Sequence, residues 1–122
     1  MFLGEVCIET NDVIKLAEFY RKILKIHSDN DTDDKDEIHQ SIISEGVGLT
    51  VYNDGHKKNN QNENISLAFT VDDVEEEYYI LQKMGVNIIQ TPKVQTWGAK
   101  NMIFKDPDGN KIYFRSIQKD IK

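Results

Sequence analysis

The chain carries nearly the same pattern twice. Shifted by about 61 positions, the first half falls on the second: Glu5 on Ser66, Asp12 on Asp73, Val13 on Val74, Gly48 on Gly109 and Tyr52 on Tyr113. A duplication of this period restricts the fold to two matching supersecondary units. Each unit alone is too small to bury a sheet face well, so the two are expected to pack as a pair in a single domain over 1–122.

Residues 3–10 alternate. Leu3, Glu5, Cys7 and Glu9 fall on one face and Val6 and Ile8 on the other, which is the period of a strand. Asn11 or Asp12 then offers a side-chain oxygen to the free N–H groups of a helix start. Val13, Leu16, Ala17, Tyr20, Ile23 and Leu24 recur at helical spacing and predict an amphipathic helix over 12–24. A polar loop from Ser28 to Glu37 leads to strands over 38–44 and 47–53, turning at Glu45 and Gly46.

The second half repeats this order. A strand over 66–71 meets a cap at Asp72 or Asp73, and Glu75 and Glu76 place negative charge where the helix dipole favours it. Val74, Tyr78, Leu81 and Met84 form the apolar side, and Gly85 stops the helix. Strands follow over 86–90, 99–104 and 111–117. The last two are joined by Asp106-Pro107-Asp108-Gly109-Asn110, where proline pre-sets a turn angle and glycine accepts positive φ. Between the halves, 54–64 has almost nothing to bury and reads as a linker. The first module therefore spans about 1–53 and the second 65–122.

Composition excludes several function classes. A net charge of −6 argues against a nucleic-acid partner. Apolar residues make up 39%, which supports a real core, and no apolar run approaches the ~20 residues of a membrane span. The N-terminus lacks a basic segment before a long apolar stretch, so it does not read as a signal peptide. Cys7 is the single cysteine, which excludes an intrachain disulfide and a cysteine zinc cluster and suits a cytoplasmic location. The acidic loop around 29–37 superficially matches a calcium loop. It lacks the required glycine and glutamate, having Asp34 and Gln40 there, and reads as a solvated loop.

Three segments carry a resemblance. Glu9-Thr10-Asn11-Asp12-Val13 runs on to Glu18-Phe19-Tyr20; Phe69-Thr70-Val71-Asp72-Asp73-Val74 repeats that element; Trp97-Gly98-Ala99-Lys100 precedes Phe104 to Ile112. In this order they resemble the glyoxalase / bleomycin-resistance / extradiol-dioxygenase (vicinal oxygen chelate) superfamily, and most closely its bleomycin-resistance-like members. The resemblance implies an α+β fold of two tandem βαβββ modules. Their mostly antiparallel strands would curve into a cup or half-barrel, with the helices on the outer face. It also implies a homodimer and a small-molecule ligand in the concavity.

Strand alternation sorts the side chains. Val6, Ile8, Leu49, Val51, Leu67, Phe69, Val71, Ile112 and Phe114 belong under the helices. Glu5, Cys7, Glu9, Thr50, Tyr52, Ser66, Ala68, Thr70, Lys111, Tyr113 and Arg115 belong on the other face. The ligand-binding set expected from this is Glu5, Cys7, Thr50, Tyr52, Ser66, Trp97, Tyr113 and Arg115. Trp97 and Tyr113 would stack on a ligand, Tyr52 and Ser66 would hydrogen-bond it, and Glu5 would counter a positive group or pair with Arg115. Metal-dependent relatives hold their ion at positions that map to Glu5, Tyr52 (or Thr50, on the same face), Ser66 and Tyr113. Only Glu5 among these is a good divalent-metal ligand, and His27, His39 and His56 fall elsewhere. The expectation is therefore no metal, no cofactor and no catalytic residue, with sequestration or antibiotic-resistance-type binding preferred over enzymatic chemistry. A metal-dependent lyase, thiol transferase or dioxygenase stands as the alternative, and a non-catalytic interaction domain as a third. Cys7, without a neighbouring base, reads as a small buried side chain rather than a nucleophile.

Overall fold

The first unit begins with β1 (Glu5–Glu9) and α1 (Val13–Leu24), followed by a 3₁₀ turn (Asp33–Lys35), β2 (His39–Ile43) and β3 (Gly48–Tyr52). The computed structural model describes residues 1–27, 33–59 and 64–117. Backbone contacts divide the chain into two compact units, Met1–Asn59 and Asn60–Lys122. Asp12 is the cap of α1. Its carboxylate accepts from the Lys15 N–H at 3.1 Å, while its own N–H donates to the Thr10 hydroxyl at 3.1 Å. The helix ends where Lys25 turns left-handed at φ 58° and its N–H donates back to the Arg21 and Lys22 carbonyls. Val13, Leu16, Ala17, Tyr20 and Ile23 are buried and carry the face that packs on β2 and β3.

The first sheet has the order β1-β3-β2. β1 runs parallel to β3, and β2 runs antiparallel to it. Gly48 sits where strands approach closely: a Cβ there would lie 3.0 Å from the Ile43 carbonyl oxygen and 3.2 Å from the Glu5 Cβ. The polar stretch read as a linker is tied down by hydrogen bonds rather than by burial. Asn11 bonds the Lys58 backbone in both directions, at 2.9 and 2.8 Å. Lys58 Nζ reaches Asp54 at 2.7 Å and Glu9 at 2.8 Å. The rest of that stretch, 60–63, lies outside the described residues, as does 28–32 of the acidic loop.

The second unit contains β4 (Leu67–Thr70), α2 (Val74–Lys83), β5 (Asn87–Val94), β6 (Ala99–Lys105) and β7 (Lys111–Ile117), in the sheet order β4-β7-β6-β5. Asp73 caps α2 by accepting from the Glu75 and Glu76 N–H groups at 3.0 and 3.3 Å. Gly85, at φ 76°, follows the helix as expected. Met102, Phe104, Ile112 and Phe114 are fully buried, and the Phe104 and Phe114 rings meet edge to face at 4.9 Å. Lys100 clamps this side of the sheet to the helix through Glu75 at 2.6 Å.

Two features depart from the sequence expectation. β5 continues to Val94, past Gln90, where the sequence pattern ends. It is the last strand in its sheet, so Pro92 gives up no ladder bond on its outer edge, and the pairing is irregular on either side of Gln90. The repeat period is also not constant. Val6 pairs with Leu49 and Leu67 with Ile112, so 61 residues separate the first strands of the two units but 63 separate the last. β2 and β6 lie between, with His39 and Asn101 equivalent at 62. Among the described residues the first unit has two strands after its helix and the second has three. Positions 26–33, the counterpart of β5 by the first offset, fall largely outside the described residues.

Candidate functional site

In the first unit the face opposite α1 is built by cross-strand rows. Cys7, Thr50 and Ser41 form one row, and Glu9, Tyr52 and His39 the next. Thr50 is buried, and its hydroxyl donates to the Glu5 carboxylate at 2.6 Å. The Tyr52 ring, half-buried, meets the His39 ring edge to face at 6.2 Å. Glu9 is held by Lys58. Cys7 is exposed, contrary to its expected burial, because its strand face is not covered by α1. Desolvation, followed by the Glu5 and Glu9 carboxylates, pushes its thiol above the ordinary value, so it stays protonated near neutrality.

In the second unit the face opposite α2 has rows that cross all four strands. Thr70, Arg115, Asn101 and Lys93 make one, and Ala68, Tyr113, Ile103 and Gln90 the next. Arg115 Nε donates to the Thr70 hydroxyl at 3.1 Å. Tyr113 and Arg115 are half-buried, and Ser66 is exposed just before β4. Trp97 is 61% exposed in the turn between β5 and β6. The structure thus brings Glu5 together with Thr50, and places Tyr113 and Arg115 two apart on one face of β7. Sequence reasoning missed Asn101. It is 6% exposed, and its side-chain oxygen is buried without a hydrogen-bond partner. No sequence signal singles it out, because the strand pattern leaves the facing of β6 unassigned, and that facing rests on its cross-strand partners Arg115 and Lys93.

A model of the Glyoxalase/Bleomycin resistance protein/Dioxygenase superfamily matches residues 3–114. The chain belongs to this superfamily. No curated protein matches it. Among solved structures it is similar to a superfamily enzyme from Burkholderia phytofirmans PsJN, with TM-score 0.74 and 15% identity, covering 96% of this chain and 99% of that one. It is also similar to a glyoxalase/bleomycin resistance protein/dioxygenase from Nocardioides, with TM-score 0.70 and 17% identity over 100% and 87% of the two chains. A third is TioX from Micromonospora sp. ML1, with TM-score 0.71 and 14% identity over 96% and 99%. At these identities the likeness establishes the fold.

Several members of this superfamily use a divalent metal, and the residues here do not fit one. Of the mapped positions, Glu5 already accepts from Thr50, and Tyr52, Ser66 and Tyr113 offer only hydroxyl oxygens. The last-strand partners also shift with the register: Tyr113 stands level with Ala68 as Thr50 does with Cys7, so the counterpart of Tyr52 is Arg115. Among the described residues no three His, Cys, Asp or Glu side chains gather where they could hold an ion. No helix among them is long and apolar enough to cross a membrane.

Proposed function

We propose that this superfamily member binds and sequesters a small molecule on its polar sheet faces, with no metal-assisted chemistry. One observation carries the reading. The mapped metal positions hold hydroxyls and one hydrogen-bonded carboxylate, whereas the same faces present ring, hydroxyl and guanidinium groups suited to reversible binding. On the second unit Tyr113 and Trp97 supply aromatic surface and Arg115 and Ser66 supply polar contacts; on the first unit, taken by itself, Tyr52 offers a ring and a hydroxyl and Glu5 an acceptor for a cationic or donor group. Resistance-type capture of a partly aromatic molecule by a homodimer is the form this takes.

The test starts from protein purified without chelators. Elemental analysis is expected to find no stoichiometric transition metal. A library of aromatic acids, amines and amides, screened by thermal shift, is expected to yield binders. Tyr113→Ala and Trp97→Ala should weaken those binders while leaving the unfolding midpoint nearly unchanged. A stoichiometric transition metal would overturn the reading. So would a collapse of stability in Tyr113→Ala, which would make Tyr113 a core residue. Light scattering checks the homodimer.

A further inference from the structure

The four strands of the second sheet contain no aspartate or glutamate. They carry Lys93, Lys100, Lys105, Lys111 and Arg115. This is unusual in a chain with 21 acidic and 15 basic residues. Lys100 lies on the helix side and is neutralised by Glu75. The register places the other four cations on the opposite face, since Lys105 pairs with Lys111, Asn101 with Arg115 and Lys93 with Asn101. The strands of the first sheet carry the reverse, Glu5 and Glu9 with no lysine or arginine.

Asn101 lies in one row of this face, between Arg115 and Lys93. Strand neighbours stand about 4.8 Å apart, so Arg115 and Lys93 flank it at roughly 5 Å on either side. Arg115 is positioned rather than neutralised: Thr70 takes its Nε, and the terminal nitrogens have no carboxylate partner among the described residues. The Asn101 amide oxygen is buried and unbonded. A buried polar atom without a partner destabilises a fold and calls for an explanation, of which a bond supplied from outside the chain is one.

We propose that Asn101, Arg115 and Lys93 form an oxyanion subsite that takes a small carboxylate bearing an adjacent N–H or O–H donor. The two cations receive the anion, and the Asn101 oxygen accepts the ligand's donor. A carboxylate alone would repel that oxygen, and a neutral amide would leave both cations unmatched, so the pair of groups sets the specificity. Tyr113, one row away on the same face, stacks on a ring attached to the carboxylate. This assignment rests on the ligand-binding reading above and names the chemical class it admits.

The test uses the full chain labelled with ¹⁵N and three probes: salicylate, benzamide and benzylamine. Salicylate is expected to shift the Asn101 side-chain amide and the Arg115 Nε signals, and to bind best of the three. Arg115→Gln and Asn101→Leu should each weaken it by about tenfold, the loss typical of one charge-assisted or buried hydrogen bond. Asn101→Leu should also keep or raise the unfolding midpoint, because it removes an unbonded buried amide. A structural asparagine would do the opposite, so a lowered midpoint with salicylate affinity intact overturns the assignment. Preferential binding of benzylamine or benzamide overturns it too, yet leaves the ligand-binding reading standing. A stoichiometric metal would overturn that reading, and the salicylate titration would still decide this subsite.

Discussion

The Thr50 hydroxyl donates to the Glu5 carboxylate across the parallel β1–β3 pair at 2.6 Å. Thr50 is buried while Glu5 is exposed, so the bond pins an acidic side chain that water could otherwise solvate. Thr50→Val keeps the shape and removes the donor. Urea unfolding should show a loss of about 1 kcal/mol, since the exposed acceptor recovers part of the bond from solvent. Thr50→Ser should retain most of the stability.

The contact of Lys58 with Asp54 and Glu9 makes stability depend on pH at both ends. The Lys58 hydrogen bond comes first among the causes that hold the Asp54 carboxyl at about 2, well below its ordinary value of 3.8. Its contribution is present above pH 4 and is lost as pH falls through about 2. The Lys58 amine is raised, chiefly by Asp54 and then Glu9, so its contribution is complete below 10.5 and fades as pH rises beyond that. Denaturant midpoints measured from pH 6 down to 2 should fall less steeply in Asp54→Asn than in the parent chain. An identical slope would show that this group does not titrate with folding.

Cys7 should alkylate slowly for an exposed thiol. Its raised pKa leaves less thiolate at pH 8 than a free cysteine has. Desolvation is the largest cause and Glu5 the next, so Glu5→Gln should accelerate iodoacetamide labelling only modestly. A rate equal to that of free cysteine would contradict the assigned environment.

Asp106 organises the closing turn. Its carboxylate, buried, accepts from the backbone N–H groups of Asp108 and Asn110 at 2.9 Å each and from the Asn110 side chain at 2.8 Å. Asp106→Ala leaves those donors unmatched and should cost about 2–3 kcal/mol in urea unfolding. Asp106→Asn should cost less.

Local signals in this chain were legible because they act over a few residues. The caps Asp12 and Asp73, the stop at Gly85 and the turn at Asp106–Asn110 each form where their side chains or φ freedom demand. The sorting of Ile112 and Phe114 beneath α2, and of Tyr113 and Arg115 away from it, followed from strand period alone. What stayed hidden depends on neighbours from distant sequence. Pro92 marks a strand end unless the strand is known to lie at an edge. The exposure of Cys7 depends on whether anything covers the strand face that α1 leaves free. Asn101 looks like any polar strand residue until its row is known.

The growing spacing between equivalent strands bears on any attempt to reshape the molecule. Two residues make one full pleat, so β3 and β7 still turn matching sets of side chains outward. The sets are displaced by one rung. A side chain transplanted from β3 to β7 by counting along the chain would point the right way and miss its intended neighbour, and one moved from β2 to β6 would point to the other face. Ladder partners, rather than distance in sequence, are the coordinates for grafting a feature from one half of this duplication onto the other.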